Sequence, residues 1–209
     1  MKLLLFILFF TFIIPEDNND NHRNYYFPID NFLLFPKVYV YSSDYGYYYW
    51  HLETTVSNLD TIFTTSIYDD NFNLRTQWKE LINKDGWEGI ELSDSYYDKS
   101  KYLISDIFLW NQKKGHITKN IILNTDSQGV SEKTSFTREY INKDTIPYSG
   151  NMVDALIYED YYTDYPILHY YIKNIGRAKT LIDNQIEIHL VDIIEYHEFS
   201  ILKYKNNFK

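Results

Sequence analysis

From Val38 onward, turn-forming clusters punctuate this chain roughly every 8–14 residues, and the stretches between them alternate in polarity with the period of a β-strand. Between Tyr47 and Val56, the residues Tyr48, Trp50, Leu52 and Val56 fall on one side, and Tyr49, His51, Glu53 and Thr55 on the other. Thr61–Tyr68 is a second strand, and Asp69-Asp70-Asn71 is a hairpin turn. Phe72, Leu74, Thr76 and Trp78 then oppose Asn73, Arg75, Gln77 and Lys79, before a turn at Lys84-Asp85-Gly86. Glu88–Tyr97 is another strand. Tyr102–Trp110 is almost continuously apolar, as expected of a strand buried on both faces. Asn111–Gly115 and Thr125–Gly129 are loops around a strand at His116–Leu123, and the more polar Val130–Ile141 reads as an edge strand.

The stretch Thr145–Lys179 organises the rest: two strand runs joined by a tight turn, then a glycine-marked kink. Pro147 has no N–H to give a ladder and suits a strand end. Ser149-Gly150 is a turn, because glycine accepts positive φ. Met152–Tyr162 and Ile167–Ile172 are strands separated by Thr163-Asp164-Tyr165-Pro166, and Asn174-Ile175-Gly176 reads as a bulge or bend. Gln185–Tyr196 and a tail strand at Phe199–Tyr204 follow. These features predict an all-β fold: an antiparallel, strongly curved sheet, either a half-barrel or an up-and-down barrel-like meander, of roughly ten strands.

The segments GNMVDALIY, YYIKNIGRAK and IEIHLVDIIEY also carry a resemblance. Their order resembles a pattern in uncharacterised secreted proteins and lipoproteins of Bacteroidetes-type bacteria, which are similar to half-barrel domains of the DUF3108 and LolA-like kind. The resemblance covers about the last third of the chain. It implies a β-rich extracytoplasmic domain and no catalytic residues. The chain departs from the lipoproteins in having no cysteine to acylate.

Met1-Lys2 followed by an apolar run from Leu3 to Ile14, broken only by Thr11, has the form of a secretory leader. The run is short of the ~20 residues that span a bilayer. No A-x-A-like cleavage site follows, and an uncleaved anchor or an N-terminal strand is the alternative. The expected organisation is a signal peptide over residues 1–15, a polar linker or N-terminal arm over 16–36, and one β domain over 37–209, without a transmembrane span in the mature chain. The expected location is periplasmic or secreted.

A net charge of −9 without a basic stripe argues against nucleic acid as a partner. The absence of cysteine removes disulfides, thiolate metal sites and cysteine nucleophiles. No nucleotide-binding, metalloprotease or nucleophile-elbow motif occurs. Glu187/His189 and Glu195/His197 sit two apart, where a strand would aim both side chains to one face. They supply no third metal ligand, so an exposed polar face is the simpler reading, and no metal or cofactor is expected. His51 and Glu53 likewise read as a solvated face. Trp50 and Trp78 lie on apolar faces and belong to a core, whereas Trp87 and Trp110, beside turns, remain candidate stacking platforms.

The function expected on these grounds is non-enzymatic: binding of one hydrophobic or lipid-like small molecule in a concave apolar face, with Tyr158, Tyr170 or Tyr171 as candidate ligand contacts. Because neighbours alternate, Tyr170 and Tyr171 cannot both point inward. The alternative is a surface interaction protein that binds glycans through exposed aromatic rings.

Overall fold

A computed structural model describes residues 21–33, 35–57, 60–94, 100–105, 107–126, 129–162 and 165–206. The expected leader and the first residues of the expected linker lie outside these.

Among the described residues, thirteen strands form one antiparallel sheet, most of them bonded to their neighbours in sequence. They are β1 (Lys37–Ser43), β2 (Gly46–Ser57), β3 (Asp60–Tyr68), β4 (Leu74–Ile82), β5 (Gly86–Asp94), β6 (Ser100–Ser105), β7 (Ile107–Leu109), β8 (Ile117–Asp126), β9 (Gly129–Tyr148), β10 (Asn151–Tyr161), β11 (Pro166–Ile172), β12 (Gly176–Ile182) and β13 (Ile186–Glu195). β13 returns to β1, and β4 pairs with β5, so the ring closes. β6 and β7 pair with opposite ends of β5, Leu92 opposite Tyr102 and Trp87 opposite Phe108, and act as two halves of one stave. Where β7 leaves β8, the Asn120 side-chain oxygen accepts the Ile107 N–H at 3.1 Å. This is the expected up-and-down, all-β meander, carried to closure. β9 pairs with β8 over Gly129–Glu139 and with β10 over Thr137–Tyr148, so among the described residues Val130–Phe136 has a ladder partner on one side, in keeping with the edge reading, and Thr137–Glu139 has one on each side.

Alternation sends Tyr39, Tyr41, Trp50, Leu52, Phe63, Trp87, Phe108, Leu156, Tyr158 and Tyr171 into one buried cluster. Tyr25, Tyr26, Phe27, Ile29 and Phe32 belong to the same cluster. The expected arm is therefore, from residue 21, a plug seated inside the ring. Two short 3-10 turns, His22–Asn24 and Ile29–Leu33, flank the aromatic run Tyr25–Phe27. Tyr26, only 2% exposed, has six rings around it, from Phe27, Phe63, Trp87, Phe108, Trp110 and Tyr171. Polar contacts pin the plug on several sides. The His22 N–H donates to Trp110 O at 2.8 Å, Asn174 N–H to Asn24 O at 2.6 Å, and the Thr54 hydroxyl to Ile29 O at 2.7 Å. The Tyr26 hydroxyl donates to Glu80, and the His22 ring bonds the Tyr158 hydroxyl.

The tail differs from expectation. Tyr196–Asn206 is a helix, α1, not a strand. Glu198 reaches back to accept the Glu195 N–H at 3.1 Å, and Lys203 and Lys205 sit in the last turn, where cations favour the helix dipole. Phe199 is buried against Tyr49, Tyr68 and Phe72 on the outer face of β2 and β3. Tyr196 stacks on His51, whose face was expected to be solvated and is instead covered. Asn174-Ile175-Gly176 is a tight turn that starts β12, a strand the sequence reading did not separate. No helix among the described residues is long and apolar enough to cross a membrane.

Candidate functional site

The plug occupies the end of the ring that holds the β4–β5 and β11–β12 turns, and it leaves a cavity of about 260 Å³ towards the other end. Trp78, Trp87, Leu92, Phe136, Tyr162 and Ile167 supply its apolar walls. Phe136 and Tyr162 stack face to face with centroids 4.8 Å apart. They also border a second, more open hollow of about 480 Å³ beside Lys119–Ile121.

Set into these walls are Glu80, Arg138, Asp160, His169 and Arg177. Arg138 on β9 meets Asp160 on β10 across a direct register pair, and the fork geometry follows: Nε to Oδ1 at 2.7 Å and Nη2 to Oδ2 at 2.6 Å. Both side chains are 4% exposed. The guanidinium also lies 5.4 Å from the Trp87 ring centre and 5.7 Å from that of Phe136, so aromatic faces replace its hydration. His169, on β11, places Nε2 3.4 Å from Asp160 Oδ2 and Nδ1 3.2 Å from the Thr180 hydroxyl.

Hydroxyl, imidazole and carboxylate in that order would be a hydrolytic array if the histidine were basic. Its environment acts the other way. Burial, and then the Arg177 charge, push the His169 imidazole down to about 4, against the smaller upward pull of Asp160. Asp160 pays its own desolvation, but the Arg138 charge and hydrogen bonds hold its carboxyl well below the usual range. Thr180 does not line the cavity. At neutral pH the group is a fixed arginine–carboxylate pair buttressed by a neutral histidine, suited to positioning rather than to proton transfer.

Arg177 is placed by a bulge. The β11–β12 register runs from Tyr170 opposite Lys179 to Tyr171 opposite Arg177, leaving Ala178 extra. Without that extra residue, positions 177 and 179 would share a face. With it, Lys179 points out to Glu187 while Arg177 turns inward, 5.1 Å from the Trp50 ring centre and 5.6 Å from that of Tyr171. Beside Arg177 the β12–β13 ladder has ended, and the Tyr39 and Tyr41 hydroxyls close the gap by donating to Ile175 O and Arg177 O, each at 2.6 Å. Arg177 Nη2 donates to the Tyr171 hydroxyl at 3.1 Å, Nε is buried without a partner, and no carboxylate of the described residues lies within ion-pair distance.

The three tyrosines of the sequence reading separate. Tyr158 and Tyr171 are buried in the interior, and Tyr171 reaches the cavity wall only through its bond from Arg177. Tyr170 lies on the opposite face of β11, against the small cluster Ile146, Ala155, Ile172 and Ala178, with Lys179 over its ring. Trp87 and Trp110, expected as open platforms, are 4% and 2% exposed and belong to the interior. Glu187 pairs with Lys179, Glu195 with Lys37, and His197 sits on α1 rather than a strand. No group of three potential metal ligands occurs among the described residues. The Asp69 carboxylate serves its own turn, accepting Asn71 N–H, Asn73 N–H and Arg75. Sequence reading did not single out Arg138, Asp160, His169 or Arg177. The available signal was charge at inward strand positions, legible only once the bulges were known.

No known family's sequence pattern matches the chain, and no curated protein matches it. A solved structure from Bacteroides fragilis, a protein with a YmcC-like fold provisionally described as exported, is similar over 76% of this chain and 94% of that one, at 9% identity and a TM-score of 0.45. At that distance the likeness assigns this chain no role.

Proposed function

We propose that this protein is a non-enzymatic, extracytoplasmic binding barrel that holds one small ligand in the cavity left open by its plug. The cavity carries the reading: aromatic walls with a few fixed polar groups are the usual make-up of a ligand site. Its volume is just below the roughly 300–1,000 Å³ typical of such sites. With the plug seated, that favours a compact ligand with an apolar body over a long-chain lipid. The depressed basicity of His169 and the neutralised Asp160 support binding over catalysis. The apolar leader supports export.

Native mass spectrometry of the full chain purified from its host should show a small-molecule adduct. Leu92→Trp, which fills the cavity, should remove it while circular dichroism stays unchanged. The exported form should lack about its first 15–20 residues. A second reading, attachment to glycans, rests on Tyr45, Tyr47, Tyr161 and Tyr165, all exposed at the unplugged end. Absence of any adduct, with binding on a glycan array lost in Tyr45→Ala, would replace the first reading by the second.

A further inference from the structure

The charges around the cavity are unequally satisfied. Arg138 is saturated by Asp160, and Lys79 faces outward to Glu91 at 3.4 Å. Glu80 accepts from Tyr26. Among the described residues, the Arg177 guanidinium has only the Tyr171 hydroxyl as a hydrogen-bond partner. Its Nε is sealed in the wall, and the side chain as a whole lines the cavity. A guanidinium edge held in an aromatic, low-dielectric enclosure without a counter-ion is an acceptor-binding group, worth more there than in water. It is also preorganised. The rings of Trp50 and Tyr171 fix its plane, and the Ala178 bulge fixes its direction.

Resting on the binding-barrel reading, we propose that Arg177 anchors the carboxylate of a small arylalkanoic-acid-like ligand whose apolar body lies against Trp78, Trp87 and Phe136. A carboxylate matches the planar edge of the guanidinium. A single negative charge fits better than a phosphate's two, because Glu80 lines the same cavity and repels added charge, while Asp160 is already neutralised by Arg138. Glu80 stands on β4, nearly across the ring from β12 in strand order.

The test titrates the full-length protein with a set of arylalkanoic acids, 4-phenylbutyrate among them, and with their neutral amides. Tryptophan fluorescence and thermal midpoint are the readouts. At least one acid should bind tenfold or more tighter than its amide. Arg177→Met, shown by circular dichroism to keep the fold, should abolish the difference, and Arg177→Lys should restore part of it. If acids and amides bind equally and Arg177→Met changes nothing, the carboxylate assignment fails while the binding barrel stands. If no member of either set binds at millimolar concentration, both fail. If Arg177→Met unfolds the chain, the Arg177→Lys titration alone decides: acid selectivity reduced but present sustains the assignment, and selectivity unchanged or never present refutes it.

Discussion

Replacing both members of the Arg138–Asp160 pair should cost far less stability than the two single replacements summed. With both side chains 4% exposed, Asp160→Leu strands a buried guanidinium and also removes the acceptor beside His169 Nε2. Leaving one charge of a buried pair uncompensated costs about 3–5 kcal/mol. Water in the adjoining cavity can reach the stranded group, so the lower end, about 3 kcal/mol, applies. Arg138→Met leaves Asp160 with only the neutral His169, at a similar cost. In Arg138→Met/Asp160→Leu both desolvation penalties vanish, and the residual loss is the unpaired His169 N–H, about 1–3 kcal/mol. The two single losses sum to about 6 kcal/mol, so the coupling is about 3 kcal/mol or more. Urea unfolding of the wild type and the three variants, read at constant m-value, measures all four corners. A double-variant loss equal to the sum of the single losses would refute the view of the pair as one self-neutralised unit. Single losses below about 1 kcal/mol would show that it is not desolvated at all.

Three further outcomes concern the plug and His169. A Cβ at Gly176, where φ is +101°, would lie 2.4 Å from Phe27 Cδ1, so Gly176→Ala should lower stability by about 2–4 kcal/mol by unseating the plug, whereas Gly150→Ala, at φ +79° with open space, should cost only about 1 kcal/mol in denaturant titrations. His169 titrates near 4 when folded and near its ordinary value when unfolded, so the unfolded chain takes up the proton first as pH falls. This stability is complete above about pH 6.5 and lost towards pH 4, by roughly 3 kcal/mol, and a His169→Gln chain should lack that pH slope in urea titrations at pH 7, 5.5 and 4.5. Tyr26→Phe removes the hydroxyl bond to Glu80 but keeps the ring, and should cost about 1.5–3 kcal/mol in the same assay, with an unchanged value showing that packing alone seats the plug.

The strand rhythm was legible where inward side chains are large and turns are marked. Tyr48, Trp50 and Leu52 point the way their alternation predicts, and Ser149-Gly150 turns with positive φ at both residues. The tail was misread for a physical reason. Tyr196–Asn206 buries only Phe199, so its apolar residues follow no clear helical stripe, and Ile201, Leu202 and Tyr204 remain exposed. The signals that identify it are at its ends, Glu198 three residues after Glu195 and the two closing lysines. Trp87 and Trp110 were misplaced because nearness to a turn says nothing about what covers the turn. Here Asp85 O accepts the Trp110 N–H, and the plug lies over both rings.

The site is harder to read than the fold because its groups come from separate strands and meet only through register. Arg138 and Asp160 are opposite because the β9–β10 ladder slips by one between Ile157 and Tyr158. Carried on from Ile157 opposite Asn142 without the slip, the register would set Asp160 against Glu139, and two carboxylates would face each other in place of an ion pair. The Ala178 bulge does the same service for Arg177, which would otherwise share the outer face with Lys179. A polarity pattern cannot show either slip, since the slipped residues Ile141 and Ala178 are themselves unremarkable in a strand. The plug is hidden for a related reason. Tyr25, Tyr26 and Phe27 precede a proline and follow a polar run, so they have no period to report. Their burial becomes necessary only because a twelve-stave ring leaves an interior that its own side chains cannot fill. The same excess of interior space leaves the cavity beside Arg177, and seating aromatic residues from the chain's own N-terminus shrinks a wide barrel to a pocket on the scale of one small molecule.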